Sequence, residues 1–246
     1  MNNFLCKFAL LLCVALSFAL DARSSDRKAV WIAPETAQGQ PNTWLIFRKD
    51  IKLAQVPATL MADIAADTKY WMWLNGEMAV FEGGLKRGPE PNATYFDRVD
   101  IAPYLKPGDN TIAILVWHFG KNGFAHVNSG SAGLFFEAVS PEVAILSDNT
   151  WQSDVYDAYG DTEAPYPNFR LAESNIRFDA RKERDGWNMP GYKGKLPGAF
   201  YIADASNSPF GKLVERPIPM WKDYGLKSYE STRRSGDTIV CRLPYN

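Results

Sequence analysis

The segment Thr111–Trp117 places the strongest constraint on the fold, because its sequence TIAILVW has apolar residues on both faces of an extended strand. Successive side chains of a strand point to opposite faces, so a short run that is apolar throughout indicates burial on both sides. The preceding segment Lys106–Asn110 contains Pro, Gly, Asp and Asn, which are turn-forming residues. The run therefore predicts a strand in the middle of a sandwich.

Further strand-like segments follow one another along the chain. Leu45–Leu53 nearly alternates apolar and charged residues, which is typical of a half-buried strand. Asn75-Gly76 predicts a tight hairpin, since both residues tolerate positive φ. The other predicted strands are Thr59–Ala66, Tyr70–Leu74, Met78–Phe81, Leu134–Phe136, Val143–Leu146 and Thr238–Leu243. Turn signals about every 8 to 12 residues favour a sandwich, so the predicted fold class is all-β, a jelly-roll β-sandwich over residues 28–235.

The first residues have the pattern of a targeting segment. Lys7 precedes the apolar run Phe8–Leu16, which is shorter than the roughly 20 residues that span a bilayer. A signal peptide over residues 1–19 is the prediction, with an N-terminal anchor helix as the alternative. We therefore expect a periplasmic or secreted protein with no membrane segment in its mature form. Cys241 would be its sole cysteine, predicted to be a buried core thiol without a disulfide partner.

Composition and motif spacing exclude several functional classes. The net charge of −1 and the absence of a Lys/Arg cluster argue against a nucleic-acid partner. His118 and His126 are the only histidines, too few for a zinc site of three or four ligands. We accordingly predict no metal, no cofactor and no catalytic residue. Asp97, Asp100 and Asp109 lie next to turns and are predicted to cap them.

One loop combines the side chains that bind sugars. Aromatic faces stack on the C–H patches of sugar rings, and amide or imidazole groups hydrogen-bond the hydroxyls. The segment Trp117–Gly130 has both histidines, aromatic residues, amides and glycines directly after the predicted central strand. The predicted carbohydrate-binding residues are Trp117 and Phe124 for stacking, and His118, His126 and Asn128 for the hydroxyls. Two alternatives remain open: Trp117 and Phe119 simply close the core, or the loop faces another domain.

Several motifs together resemble one family. The sequence Trp73-Leu74-Asn75-Gly76, followed by Asp100-Ile101 and Gly108-Asp109-Asn110, is similar to the galactose-binding-like jelly rolls attached to many glycoside hydrolases. Three further stretches narrow the resemblance: residues 88–97 (GPEPNATYFD), the loop 118–133, and Phe178-Asp179-Ala180-Arg181 followed by Gly186-Trp187 and Pro190-Gly191-Tyr192. Together they resemble the N-terminal β-sandwich region of bacterial α-L-rhamnosidases, of the type common in Bacteroidetes.

The resemblance carries expectations about function. Members of that family are inverting hydrolases that release terminal L-rhamnose, and their catalytic carboxylates lie on an α/α barrel C-terminal to the region matched here. No catalytic residue is therefore carried over, and this chain alone is expected to be inactive. Residues 236–246 are predicted to begin a further domain that is truncated. The implied partner is a rhamnose-containing plant or microbial polysaccharide.

Three functions remain open at this point. The chain is an accessory, carbohydrate-binding-like β-sandwich of an exported α-L-rhamnosidase-like enzyme, a free-standing secreted carbohydrate-binding module, or a purely structural domain. The resemblance favours the first.

Overall fold

The computed structural model describes residues 27–37, 40–85, 88, 90–123, 126–163, 175–222, 224–225 and 227–243. The predicted signal peptide, residues 1–19, lies outside these ranges. Within them, no helix has the length and apolar character that crossing a bilayer would require.

The chain is built from β-strands joined by turns. The first eight strands are β1 (Val30–Ala33), β2 (Thr43–Leu53), β3 (Met61–Asp67), β4 (Lys69–Leu74), β5 (Glu77–Gly83), β6 (Ala93–Asp100), β7 (Gly108–His118) and β8 (Gly133–Val139). They are followed by β9 (Ala144–Leu146), β10 (Gln152–Val155), β11 (Tyr159–Asp161), β12 (Ile176–Phe178), β13 (Phe200–Asp204), β14 (Lys212–Glu215), β15 (Ser231–Ser235) and β16 (Thr238–Arg242). Short 3₁₀ turns lie at Glu35–Ala37, Ala102–Tyr104 and Ala180–Lys182.

Two large sheets form the sandwich. One sheet has the order β13-β1-β8-β3-β6-β14, with β9 paired to β8, and the other has the order β10-β2-β7-β4-β5. Neighbouring strands are antiparallel except β14, which runs parallel to β6. Strands β11 and β12 pair with each other, as do β15 and β16. The predicted all-β, jelly-roll sandwich is confirmed.

Strand β7 is buried on both faces, as its sequence predicts. Its residues Ile112, Ile114 and Val116 point into the core between the two sheets. The alternate residues Ala113, Leu115 and Trp117 point to the outer face of the five-stranded sheet and are buried there in a second cluster. The predicted Asn75-Gly76 turn is also present, with φ values of 55° and 86° that match a tight hairpin between β4 and β5.

The irregular segment after β10 covers the outer face of the five-stranded sheet. Tyr156, Trp187 and Leu196 belong to the same buried cluster as Trp117. Arg48, whose side chain is 3% exposed, holds this cover in place from β2. Its Nη1 donates to the backbone oxygens of Trp187 at 2.9 Å and Met189 at 2.8 Å. A buried guanidinium thus supplies donors to carbonyl groups that no strand pairing would satisfy.

The outer face of the seven-stranded sheet is covered by the segment before β14. Phe210 stacks on Trp31 with ring centroids 3.8 Å apart. Gly133, at the start of β8, permits this close packing, because a Cβ atom there would lie 2.5 Å from the ring of Phe210. Both sheets of the sandwich are therefore covered on their outer faces by aromatic residues.

Asp97 is not a turn cap, contrary to the prediction from sequence. It is fully buried and accepts hydrogen bonds from the Tyr70 hydroxyl at 2.8 Å and the Gly84 N–H at 2.6 Å. Arg216, which is also buried, pairs with its other oxygen at 3.1 Å. Burial, and then the negative charge of Asp97, raises the pKa of Tyr70 well above its ordinary value. Arg216 lies far from Asp97 in the sequence, and its positive charge makes burial of the Asp97 carboxylate tolerable. The residues around Asp97 therefore could not predict this burial.

Asp100 has the predicted role. Its Oδ1 accepts hydrogen bonds from the backbone N–H groups of Leu60 at 2.9 Å and Ala102 at 3.1 Å. The carboxylate therefore satisfies donors at the turn after β6.

The hairpin of β15 and β16 is exposed along its whole length. Cys241 is therefore an exposed thiol, and the prediction that it is buried in the core is wrong. The apolar run around it indicated burial, yet in this chain the two-stranded hairpin stands clear of the sandwich. The predicted boundary between residues 235 and 236 falls at the turn of this hairpin, and the domain limits stay a prediction.

Replacement of Ile114 by Ala should destabilise the protein by about 2–5 kcal/mol, because it leaves a cavity in the core between the sheets. Ile239→Ala is the matched control, since Ile239 is 66% exposed on the hairpin, and it should change the free energy of unfolding by less than about 0.5 kcal/mol. Urea denaturation measures both. Equal effects of the two substitutions would contradict the central position of β7.

Candidate functional site

The predicted binding loop connects β7 with β8 at one end of the sandwich. Trp117 and His118 are the last residues of β7, and His126 and Asn128 lie in the loop itself. Phe124 lies outside the described residues, so its predicted stacking role stays a prediction. The four described residues occupy different environments, and these environments determine what each can contact.

Trp117 lies inside the protein. It is fully buried, and its ring stacks on Trp44 with centroids 5.6 Å apart. Its Nε1 donates to Asn42 Oδ1 at 2.6 Å. Because its faces are covered by protein, a sugar could stack on this ring only if neighbouring side chains moved. This placement matches the alternative in which Trp117 closes the core.

His118 is buried against a carboxylate. Its Nδ1 lies 3.1 Å from Oδ1 of Asp67, and the two side chains are 3% and 10% exposed. The Thr68 hydroxyl donates to the same Asp67 oxygen at 3.0 Å and accepts from the Phe119 N–H at 3.2 Å. A proton on Nδ1 makes the imidazole a donor to the carboxylate. The orientation of Asp67 is therefore held by two side chains.

His126 packs on aromatic rings. It is buried, with its ring centroid 4.2 Å from that of Phe119 and edge-on to Trp117 at 5.6 Å. These contacts bring the two halves of the loop together. The imidazole thereby helps to shape the loop from the inside.

Asn128 is partly buried, where the loop turns back toward β8. Its backbone N–H donates to Asn122 Oδ1 at 2.9 Å, and its own Oδ1 accepts from the Gly130 N–H at 2.9 Å. Ser129 Oγ donates to the Ser131 carbonyl at 2.9 Å. The loop is thus braced by its own polar side chains.

A small recess lies beside this end of the loop. Its polar lining comes from five side chains: Asp67, Thr68, Thr94, Asn128 and Ser129. Its apolar lining includes Pro91, Val127 and Phe210. The volume is about 30 Å³, which is room for one or two water-sized groups. The recess therefore joins the predicted loop to two other connections of the sandwich, those after β3 and before β6.

The sequence prediction missed Asp67, Thr68 and Thr94. A polar pair directly after the predicted strand Thr59–Ala66 was the available signal. Nothing in the sequence, however, places that pair beside a loop more than 50 residues later. Across the described ranges, no group of three or more His, Cys, Asp or Glu residues could hold a metal ion. The chemistry available at this site is hydrogen bonding by a carboxylate, an amide and hydroxyl groups.

Rhamnosidases are among the solved structures similar to this chain. No protein-family profile matches the sequence, and no curated protein does. A GH78 family rhamnosidase of Bacillus sp. GL1 is 29% identical, with a TM-score of 0.68 over 79% of this chain and 20% of that one. The α-L-rhamnosidase from Dictyoglumus thermophilum is 18% identical, with a TM-score of 0.61 over 88% and 25% of the two chains. That from Aspergillus terreus is 20% identical, with a TM-score of 0.63 over 87% and 25%.

The matches cover unequal shares of this chain and of the rhamnosidases. They cover most of this chain, which spans only about a fifth to a quarter of the length of each rhamnosidase. The two matches at 18% and 20% identity support the sandwich fold alone. What whole rhamnosidases do is therefore not transferred to this chain by similarity.

Replacement of Trp117 by Ala should destabilise the protein by about 3–5 kcal/mol, since it removes a fully buried ring and its hydrogen bond. Trp221→Ala is the matched control, because Trp221 is 63% exposed, and it should change stability by less than about 0.5 kcal/mol. Thermal or urea unfolding distinguishes the two. A W117A protein with unchanged stability would contradict the packing role of this ring.

Proposed function

We propose that this chain is an accessory, carbohydrate-binding-like β-sandwich of an exported α-L-rhamnosidase-like glycoside hydrolase. In this role it contributes contacts to a rhamnose-containing plant or microbial polysaccharide, and hydrolysis belongs to residues outside it. The similarity to the Bacillus sp. GL1 enzyme over 79% of the chain is the observation that supports the proposal most. The Bacteroidetes-type motifs named in the sequence favour a bacterial enzyme of that kind.

The loop between β7 and β8 is the proposed site of sugar contact. Its surface end, at Asn128, lines the recess with Asp67, and this recess offers polar groups where a hydroxyl could enter. His118 supports the site from within, because it holds Asp67. His126 and Trp117 support the loop through their ring contacts. In this proposal the residues that line the recess contact the sugar, and the buried residues hold them in position.

The export proposal depends on the N-terminal sequence. A short apolar run after Lys7 is typical of a cleaved signal peptide. Cleavage after Ala19 would leave a short segment before Arg27, which pairs with Asp63 at 3.0 Å and Glu137 at 3.3 Å on the seven-stranded sheet. The folded domain would thus begin soon after the predicted cleavage site, with the protein in the periplasm or the medium.

Addition of L-rhamnose or rhamnose-containing oligosaccharides should shift backbone amide signals of the loop 118–130 in NMR spectra. A small site of this kind should bind with a dissociation constant between about 0.1 mM and several millimolar, or roughly −3 to −5.5 kcal/mol. D-Galactose serves as the comparison sugar at the same concentrations. If no amide shifts with 50 mM rhamnose, this chain has no carbohydrate-binding role of its own.

Expression of the gene in a Gram-negative bacterium should yield a mature protein that begins near Leu20. Mass spectrometry of the purified protein identifies its first residue. Lys7→Glu should slow export, because it removes the positive charge that precedes the apolar run, whereas Lys28→Glu beyond the predicted cleavage site should not. A protein retained at Met1 in the cytoplasm would contradict the signal peptide.

A further inference from the structure

One oxygen of the Asp67 carboxylate takes part in two hydrogen bonds, and the other takes part in none among the described residues. Both polar contacts of this side chain, from His118 Nδ1 and the Thr68 hydroxyl, are made to Oδ1. Among the described residues, no group donates a hydrogen bond to Oδ2. The side chain is 10% exposed and lines the recess. A carboxylate oxygen this sheltered gains from a donor supplied by a ligand, because few water molecules can reach it.

A second residue of the recess lining, Asn128, offers a donor. Asn128 Oδ1 accepts from the Gly130 N–H at 2.9 Å, which orients the side-chain amide and leaves its Nδ2 group for a partner. Nδ2 donates to no group within the part of the chain that the structure describes. The recess therefore presents an acceptor on Asp67 and a donor on Asn128.

Hydroxyl groups match this pair, because a hydroxyl can donate to the Asp67 oxygen and can accept from the Asn128 amide. A volume of about 30 Å³ admits hydroxyl groups but not a sugar ring. The negative charge of Asp67 disfavours carboxylate, sulfate and phosphate groups. Val127, which is 42% exposed at the rim, offers an apolar surface for ring C–H groups.

We propose that this recess is a sugar subsite, in which adjacent hydroxyls of a neutral pyranose donate to Asp67 Oδ2 and accept from Asn128 Nδ2. The inference rests on the proposed carbohydrate-binding function and names the residues and the ligand groups that carry it. The ring lies across the mouth of the recess, against Val127. His118 is a positioning residue, since it contacts the carboxylate and not the sugar.

Asp67→Asn is the first test. Asparagine keeps the shape and the Oδ1 acceptor for His118 and Thr68, but it presents an NH₂ group where the second oxygen was. A charge-assisted hydrogen bond to the hydroxyl is then lost, so the affinity for methyl α-L-rhamnoside should fall at least tenfold. NMR titration of the 246-residue chain measures it, through the amides of Asp67, Thr68, Asn128 and Ser129.

Asp100→Asn is the matched control. Asp100 also uses Oδ1 for two protein hydrogen bonds, but it lies at the opposite end of β6 from Thr94. Its substitution should leave the affinity within twofold of the wild type. A second ligand, methyl 2,3,4-tri-O-methyl-α-L-rhamnoside, retains the ring and lacks every hydroxyl donor, and it should produce no shifts at the recess.

The outcomes separate this inference from the function on which it rests. The subsite is supported if the D67N protein shows no shifts at the recess and the D100N protein retains them. Rhamnoside shifts confined to other residues, or equal binding by D67N, overturn the subsite and leave a carbohydrate-binding function in place. An absence of shifts anywhere with the wild type overturns both.

A second variant tests the subsite if the first one does not fold. If D67N unfolds, Asn128→Ala decides the question, because Asn128 is only partly buried and its truncation removes the donor Nδ2. Its melting temperature should stay close to that of the wild type, and its affinity should fall at least threefold. Unchanged affinity in a folded N128A protein overturns the subsite.

Discussion

Burial of β7 on both faces is the condition on which the rest of the structure depends. Its inward residues fill the core between the sheets, and its outward residues would expose Leu115 and Trp117 to water if the five-stranded sheet had no cover. Burial of such side chains is worth about 1.5–3 kcal/mol each. The segment after β10, which includes the short strands β11 and β12, supplies that cover, and this explains why it is rich in aromatic residues.

Charged side chains hold the covering segments to the sheets. Arg48 reaches from β2 to two carbonyl groups of the cover, and Arg216, directly after β14, pairs with Asp97 of β6. Loss of one partner of a buried charge is costly, about 3–5 kcal/mol, because the other is left without compensation. Both arginines thus link segments more than 100 residues apart to particular positions on the sandwich.

At the end of the sandwich where the β7–β8 loop lies, buried side chains also hold other residues in position. Trp117 and His126 give the β7–β8 loop a packed interior, and His118 orients Asp67 at the wall of the recess. Asn128 is partly buried, and Lys121, Asn122 and Val127 are exposed. The aromatic and imidazole side chains of this loop therefore maintain its shape through their contacts with one another.

The sequence by itself determined strands β2–β5, β7–β9 and β16, since period-two alternation, the apolar run Thr111–Trp117 and the Asn75-Gly76 turn depend on local chain geometry alone. It also located the loop at the end of β7. Only the tertiary structure decided that Trp117 is enclosed, that Asp97 pairs with Arg216 and that Asp67 lies beside Asn128. These arrangements arise from contacts between residues far apart in the chain. Whether a given Trp, Asp or Cys is buried depends on which distant segment packs against it, and no local pattern contains that information.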